Sequence, residues 1–171
     1  MNFESINTSL LYLTNYVILM NKYVGLKLPN LISKLSETVL DIKDKNLELK
    51  SGDKGKLGKY IELVLFGNKP NSSSKPDLEN GYDIKVTKFK KNKKNGFFSA
   101  KERLTITNVG NTSKYETLNH LLECDRLENS KCFPKISKFV LLVFTNSSDI
   151  NECVFLGAII FNYENTLQIF K

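Results

Sequence analysis

A stretch near the middle of the chain reads YDIKVTKF over residues 82–89 and alternates between apolar and polar side chains. In an extended chain, Ile84 and Val86 point to one side, and Asp83 and Lys85 point to the other. This period of two predicts a β-strand with one buried face. The strand decides the fold class, because apolar helical segments precede it and further apolar extended runs follow it.

Helical and extended segments flank this strand. The helical segments predicted from apolar spacing are residues 6–24, a segment that starts at Leu28-Pro29-Asn30, residues 54–67 and residues 115–123. The extended segments are one around residues 104–107, KFVLLVF at 138–144 and CVFLGAIIF at 153–161. Because the last two are continuous apolar runs, we expect buried strands there. The sequence therefore predicts an α/β or α+β fold in which helices flank a central mixed sheet.

The composition is that of a globular protein of ordinary size. The chain has 171 residues, of which 41% are hydrophobic and 25% charged, and it suits one domain with a sizeable core. We expect a single domain over residues 1–171, with N-terminal helices in 1–50, the candidate catalytic core in 51–110, and a helix with closing strands in 111–171. The apolar stretch Leu10–Met20 is too short to cross a membrane, and the first residues do not read as a signal peptide.

The cysteines and the single histidine indicate no thiol or zinc chemistry. Cys124, Cys132 and Cys153 are an odd and scattered set, which is typical of reduced thiols in a cytoplasmic protein. Their spacing matches no zinc motif, and we expect His120 to be a structural or exposed residue. Chemistry in this chain must therefore come from carboxylates, lysines or a bound metal.

Two carboxylates and a lysine stand at a spacing that suits phosphodiester hydrolysis. KPD at residues 75–77 is followed after five residues by DIK at 83–85. Asp83 and Lys85 share one face of the strand, and Asp77 can fold back beside Asp83. Converging carboxylates form a hard oxygen site suited to Mg²⁺, and an adjacent lysine can orient or deprotonate an attacking water. A D…DxK pattern also arises in charged sequences as a merely solvated strand face.

The helix just upstream can supply a third carboxylate. Residues 54–62 read KGKLGKYIE, and Glu62 follows Gly55 and Gly58 along one line of that helix. Glycine in a helix costs roughly 1 kcal/mol relative to alanine, so we expect the glycines to let the helix approach the strand closely, although Gly55 can instead belong to the loop. Lys54, at the helix start, stands where backbone N–H groups favour a phosphate.

Much of the positive charge lies next to this constellation. The chain carries a net charge of +7, and between residues 81 and 105 eight basic residues accompany only two acidic ones. Those basic residues are Lys85, Lys88, Lys90, Lys91, Lys93, Lys94, Lys101 and Arg103. Such a patch would attract a DNA backbone. The four lysines of residues 90–94 fit equally well a solvated hairpin turn that discourages aggregation.

Three segments together resemble a known family. They are DKGKLGKYIELVLFG at 53–67, SKPDLENGYDIKVTKFK at 74–90 and SAKERLTI at 99–106. Their order and spacing resemble the core of the MutH family, which holds a mismatch-repair strand-nicking endonuclease and related restriction enzymes that cut at GATC. The resemblance is strongest to the restriction branch, with its KPD, GVELK-type and KERL segments, and covers residues 50–110.

The resemblance implies a restriction-endonuclease-like fold and Mg²⁺-dependent hydrolysis of double-stranded DNA by a type II enzyme directed at GATC. It implies that Asp77 and Asp83 are metal-binding carboxylates and that Glu62 completes the site. Lys85 then corresponds to the catalytic lysine. The DNA-binding residues indicated by the resemblance and the charge pattern are Lys54, Lys88, Lys101 and Arg103.

Three features depart from the family pattern. Asp83 stands where the family usually has glutamate, and the gap from Asp77 to Asp83 is one residue shorter. The chain also stops at Lys171, before the C-terminal elements with which family members grip DNA. The chain is therefore expected to be a compact variant that forms a homodimer, a portion of a longer enzyme, or a truncated relative.

Two other functions fit the same residues. A DNA-binding relative would keep the nuclease fold but lose turnover through the short gap or the missing C-terminal part. A basic RNA-binding protein would have no active site at all. The placement of Asp77 relative to Asp83 discriminates between them, because an RNA-binding protein has no need for these side chains to converge.

Overall fold

A four-stranded mixed sheet organises the part of the chain that the computed structural model describes, which is residues 3–38, 55–69, 75–101, 104, 110 and 116–167. Its strands are β1 (Asp83–Lys91), β2 (Phe98–Ala100), β3 (Lys138–Thr145) and β4 (Phe155–Asn162). They lie in the order β2-β1-β3-β4. β1 and β3 are parallel, whereas β2 pairs with β1 and β4 pairs with β3 in antiparallel fashion. The predicted α+β fold with a mixed sheet is confirmed.

Short helices precede the sheet and connect its strands. They are α1 (Phe3–Thr8), α2 (Leu10–Asn21), α3 (Leu28–Ser36), α4 (Lys56–Phe66), α5 (Leu118–Glu123), α6 (Phe133–Ser137) and α7 (Tyr163–Leu167). The single helix predicted over residues 6–24 is wrong, because Ser9 takes an extended backbone (φ −123°, ψ 129°) that separates α1 from α2. None of these described helices is both long and apolar enough to cross a membrane.

One face of β1 and β3 forms the core with α2, α3 and α4. Ile84 of β1 lies opposite Val140 of β3, and Val140 and Leu142 are fully buried. On the helical side, the hydroxyl of Tyr16 in α2 donates a 2.7 Å hydrogen bond to the backbone carbonyl of Leu65 in α4. Apolar alternation along the strands packs the helices on the sheet, and this buried hydrogen bond joins α2 to α4.

The end of α2 is fastened to β4. The side-chain amide of Asn21 donates a 2.8 Å hydrogen bond to the carbonyl of Ala158, and the N–H of Ala158 donates one of 2.8 Å to the amide oxygen of Asn21. A single asparagine thus satisfies both backbone groups of Ala158 on the side of β4 that faces away from β3. The apolar runs predicted at residues 138–144 and 153–161 form β3 and β4.

The β1–β2 hairpin differs in detail from the prediction. β1 continues to Lys91, so the basic turn predicted at residues 90–96 is shorter and is closed by a 2.8 Å hydrogen bond from the N–H of Asn92 to the carbonyl of Phe97. The strand that pairs with β1 is β2. Most of the extended stretch predicted at residues 104–107 lies outside the described residues.

Gly58 in α4 is not explained by close packing. A Cβ atom added at Gly58 would meet no neighbouring heavy atom of the described residues within 4 Å, so the expectation that this glycine admits a neighbouring backbone is wrong. Gly67 differs, because it ends α4 with a φ of +70°, in the left-handed region that favours glycine. Within the described part of the chain, no contact at Gly58 offsets its helix-propensity cost.

Gly58→Ala is expected to raise the free energy of unfolding by about 0.5–1 kcal/mol, because alanine loses less conformational entropy in a helix interior. Thermal and urea unfolding would measure the change. Gly67→Ala is the matched control and should lower the free energy of unfolding, since its positive φ strains alanine. A Gly58→Ala variant that unfolds more easily than the parent would contradict this account of α4.

Candidate active site

A tight turn brings the two predicted carboxylates together. Between Asp77 and Asp83, the N–H of Gly81 donates a 2.9 Å hydrogen bond to the carbonyl of Leu78, and the φ of Gly81 is +84°. The carboxylate of Asp77 then accepts a 2.9 Å hydrogen bond from the N–H of Ile84. The short gap between the carboxylates is accommodated because glycine supplies the left-handed conformation that the turn requires.

Asp83 and Lys85 share the face of β1 that points away from the core, as the alternation predicts. The side chain of Asp83 is only 1% exposed, and its carboxylate forms an ion pair with the ammonium of Lys85. Neither oxygen of Asp83 receives an aligned hydrogen bond from the described residues. A buried carboxylate is costly without hydrogen bonds, so its compensation here comes from cations.

A second lysine, which the sequence did not single out, reaches the same carboxylate. The Nζ of Lys135 in α6 lies 3.6 Å from Oδ1 of Asp83. α6 directly precedes β3, and the parallel register places Asp83 opposite Phe139. Residues just before β3 therefore lie beside the beginning of β1. The only sequence signal was a lysine shortly before an apolar run, which does not reveal the neighbouring strand.

Glu62 of α4 adds a third carboxyl group to this site. α4 contacts β1, and Glu62 interacts electrostatically with Asp77, Asp83, Lys85 and Lys135. Burial, together with repulsion from the two aspartates, raises the pKa of Glu62 to about 7 although the two lysines act in the opposite direction. The helix carboxylate predicted from the sequence is thus brought to the strand carboxylates.

The pKa of Asp77 is raised for the same reasons as that of Glu62. Burial and the adjacent carboxyl group of Asp83 raise the pKa of Asp77 to about 6, against the hydrogen bond from Ile84 and the attraction of Lys135. The raised pKa values of these two carboxyl groups show that burial and mutual repulsion outweigh the stabilisation that the lysines give to the ionised forms. Such clusters are typical of functional sites, where a ligand completes the compensation.

Asp77 and Asp83 are the described residues best suited to hold a divalent cation. Carboxylate oxygens are hard ligands, and the oxygens of Asp83 are buried without an aligned hydrogen bond. No three His, Cys, Asp or Glu side chains within the described ranges lie close enough to enclose an ion by themselves. Mg²⁺ commonly completes its coordination with water and substrate oxygens.

The structure describes two of the four predicted DNA-binding residues, Lys88 and Lys101. Lys54 and Arg103 lie outside the described residues. Lys88 lies on the opposite face of β1, and its ammonium donates a 3.1 Å hydrogen bond to the carbonyl of Ser147. Lys101 is exposed, and its N–H donates a 3.0 Å hydrogen bond to the carbonyl of Lys88. Lys88 therefore points away from the candidate site, and its hydrogen bond connects the β1–β2 hairpin to the loop that follows β3.

The β1–β2 hairpin is an ordered, positively charged projection. Residues 84–101 contain seven lysines and no acidic residue. At its tip, the side-chain oxygen of Asn92 accepts a 2.9 Å hydrogen bond from the N–H of Lys94, and that of Asn95 accepts one of 3.1 Å from the N–H of Phe97. Phe97 is 72% exposed. The tip thus presents lysines and an aromatic ring to solvent on a fixed backbone.

A mixed sheet that carries two carboxylates and a lysine at the beginning of one strand is the arrangement of the restriction-endonuclease-like class. Comparison with known families agrees with this class. The profile of the MutH family, described as "DNA mismatch repair enzyme MutH", matches residues 66–164, more than half of the chain. This chain belongs to the MutH family.

A curated relative gives a more specific similarity. The Type II restriction enzyme Sau3AI of Staphylococcus aureus is 40% identical over 93 residues, an alignment that covers 48% of this chain and 18% of the relative. The aligned part of this chain therefore spans less than a fifth of the length of this relative. The range matched by the family profile includes Asp77, Asp83, Lys85 and Lys135, whereas Glu62 precedes it.

Glu62→Gln is expected to stabilise the protein above neutral pH. Because the pKa of Glu62 is raised from 4.5 to about 7, the folded protein holds this proton more tightly than the unfolded chain. Its contribution to stability is therefore complete at acidic pH and is lost as the pH rises toward and beyond 7. Glutamine mimics the protonated carboxyl group, so at pH 8 in EDTA the variant should gain on the order of 1 kcal/mol after solvent screening.

Thermal unfolding at pH 4.5 and pH 8 would measure this gain as a melting temperature higher by about 2–4 °C at pH 8. The gain should shrink at pH 4.5, the ordinary pKa of glutamate. Glu123→Gln, at an exposed position in α5, makes the same charge change and should show no such pH dependence. Equal effects of the two substitutions at pH 8 would contradict the crowding of the three carboxyl groups.

Proposed function

We propose that this chain acts as a Mg²⁺-dependent endonuclease that hydrolyses phosphodiester bonds in double-stranded DNA, as a type II restriction enzyme directed at GATC. The observation that carries the proposal is the convergence of Asp77, Asp83 and Lys85 at the beginning of β1. Membership of the MutH family and similarity to a Type II restriction enzyme support the reaction class. The GATC target rests on the resemblance of the KPD, DIK and KER segments.

The carboxylates have the role of cation ligands in this proposal. Asp77 and Asp83 would hold Mg²⁺, and Glu62 would add negative charge from the other side. A bound Mg²⁺ supplies charge neutralisation at the phosphate and lowers the pKa of a water molecule. The raised pKa values of Glu62 and Asp77, caused first by burial and then by the neighbouring carboxyl groups, support this role, because a bound cation would favour the ionised form of each group.

In this proposal, Lys85 interacts with the attacking water and Lys135 with the phosphate. Lys85, held against Asp83, is placed to orient or activate the attacking water. Lys135 approaches Asp83 at its other oxygen and is placed to stabilise the charge that develops on the phosphate. Two ammonium groups on opposite oxygens of one buried carboxylate give the phosphate a fixed electrostatic environment before it binds.

The β1–β2 hairpin is the surface that we assign to the DNA backbone. Its exposed lysines, together with Lys101, form a cationic surface at the end of β1 opposite to Asp83, and two side-chain hydrogen bonds shape the tip. Lys54 and Arg103 stay in the proposal as flanking phosphate contacts. Lys88, bonded to Ser147, is better placed to brace the base of the hairpin.

A DNA-binding relative without turnover is the second candidate function. It is favoured by the finding that no three potential ligands within the described ranges enclose a metal site. The RNA-binding alternative has less support, because the carboxyl groups of Asp77 and Asp83 lie next to each other. The single domain over residues 1–171, the homodimer and the cytoplasmic location stay predictions. Sedimentation of the full chain would measure its oligomeric state.

Asp77→Asn and Lys85→Met are each expected to lower the rate of DNA cleavage by about 100-fold or more, since each removes a cation ligand or a charge at the reacting water. The measurement is a time course with Mg²⁺ on plasmid DNA that is methylated or unmethylated at GATC. Mapping of the fragment ends would give the target sequence.

Asp125→Asn is the matched control for this assay, because Asp125 is exposed and lies outside the candidate site. Its cleavage rate should equal that of the parent. Variants at Asp77 or Lys85 that cleave as fast as the parent would refute the assignment. If the parent leaves plasmid intact but retains it in a salt-sensitive manner, the DNA-binding relative becomes the better account.

The double variant Lys93→Gln with Lys94→Gln is expected to weaken DNA binding and its salt dependence. Each phosphate contact contributes about 0.9 to the slope of log affinity against log salt, so losing two would reduce that slope by up to about 1.8. The affinity of a cleavage-deficient Asp77→Asn protein for duplex DNA would be measured over a series of salt concentrations. Lys22→Gln with Lys34→Gln removes the same charge elsewhere, and equal slopes for both pairs would exclude the hairpin as a contact surface.

A further inference from the structure

A buried carboxylate outside the candidate site, Glu116, is bonded at both of its oxygens. Its side chain has no solvent exposure. Oε1 accepts a 3.2 Å hydrogen bond from the N–H of Thr117 and lies 2.7 Å from Nδ1 of His120. Oε2 accepts a 3.1 Å hydrogen bond from the N–H of Cys132. Glu116 therefore ties the beginning of the segment 116–132 to its end.

These bonds involve an ionised carboxylate. Burial by itself would raise the pKa of Glu116, but hydrogen bonds from His120 and from the amides of Cys132 and Lys131 outweigh it and hold the pKa below its usual range. Hydrogen bonds to an ionised acceptor are roughly twice as strong as neutral ones. The contact between Glu116 and the Cys132 amide is therefore a strong anchor.

The anchored residue is the one from which α6 begins. α6 runs from Phe133 to Ser137 and leads directly into β3. A helix of five residues has little stability of its own, so its direction depends on what holds its two ends. β3 holds the end at Ser137. At the other end, Glu116 bonds the amide of Cys132, the N–H of Phe133 donates a 3.3 Å hydrogen bond to the carbonyl of Ser130, and the ring of Phe133 packs edge-on against Tyr163. Of these contacts, the bond to Glu116 has an ionised acceptor. Lys135 lies between these anchors, with its ammonium 3.6 Å from Asp83.

We propose that Glu116 is a positioning residue, which fixes the beginning of α6 so that the ammonium of Lys135 stays against the carboxylate of Asp83. The proposal rests on the proposed function wherever it is measured through DNA cleavage. Loss of the anchor frees the first turn of α6 but leaves β3 paired with β1 and β4. Lys135 then moves while the core and the pairing of Asp83 with Lys85 persist.

The test is a double-mutant cycle between Glu116→Gln and Lys135→Met, measured by steady-state DNA cleavage. Glu116→Gln alone should lower kcat by about 10-fold or more, because misplacement by about 1 Å can cost up to about 100-fold, and KM should change by less than about twofold. If Glu116 acts through Lys135, adding Glu116→Gln to Lys135→Met should lower kcat no further. Glu123→Gln, an exposed charge change in α5, should leave kcat unchanged.

A second measurement does not depend on cleavage. The rate at which an N-hydroxysuccinimide ester acetylates Lys135 would be followed by mass spectrometry, with Lys138 as the internal reference. In the parent, the side chain of Lys135 is 21% exposed and paired with Asp83. In the Glu116→Gln variant, the reagent should acetylate Lys135 at least about threefold faster than it does in the parent. Lys138, at the start of β3, should be acetylated at the same rate in both proteins.

The outcomes separate this inference from the proposed function. A parent that does not cleave DNA refutes the proposed function, and the acetylation rates still decide the role of Glu116. If the loss of kcat in the double variant equals the product of the losses in the two single variants, the positioning role is wrong. An unchanged acetylation rate of Lys135 in the Glu116→Gln variant would overturn it as well. If Glu116→Gln does not fold, Cys132→Pro takes its place, because it removes the amide donor at a residue whose φ of −84° is close to that of proline. Cys132→Ala is its control, because both substitutions remove the thiol beside the hydroxyl of Ser130 but only proline removes the amide donor.

Discussion

The parallel pairing of β1 with β3 is the constraint on which the candidate site depends. Both strands begin at the same edge of the sheet, and Asp83 lies opposite Phe139. The segments that precede the two strands therefore lie next to each other. They are the turn that carries Asp77, before β1, and α6 with Lys135, before β3. An antiparallel pairing would have sent Lys135 to the far end of β1. Glu62 joins because α4 packs against the same strand.

This geometry concentrates charge at a cost in stability. Three carboxyl groups and two ammonium groups share a largely buried space, and burial, together with repulsion between the carboxyl groups, raises the pKa values of Glu62 and Asp77. The other face of the same strands carries fully buried apolar residues such as Val140 and Leu142. One sheet thus separates the packing that stabilises the protein from the charges that suit a cation and a phosphate.

Short segments with little stability of their own carry the reactive groups, and carboxylates bonded to backbone amides hold them in place. Asp77 accepts a hydrogen bond from the N–H of Ile84 at the beginning of β1. Glu116 accepts a hydrogen bond from the N–H of Cys132 at the beginning of α6. The first bond orients a proposed cation ligand. The second directs α6, and with it Lys135. Both use an acceptor that is ionised or partly ionised near neutral pH to fix the start of an element next to the site.

The sequence by itself determined the features that follow from local geometry. Alternation over residues 82–89 placed Asp83 and Lys85 on one face, because a strand repeats every two residues. The tertiary structure added that Gly81, with a φ of +84°, makes the turn that brings Asp77 back. Tertiary structure alone decided which strand lies beside β1, and therefore that Lys135 reaches Asp83. It also showed that, among the described residues, none lies within 4 Å of where a Cβ of Gly58 would be. Contacts between residues far apart in the chain leave no periodic signal, because they depend on how completed elements pack and not on the spacing within any one of them.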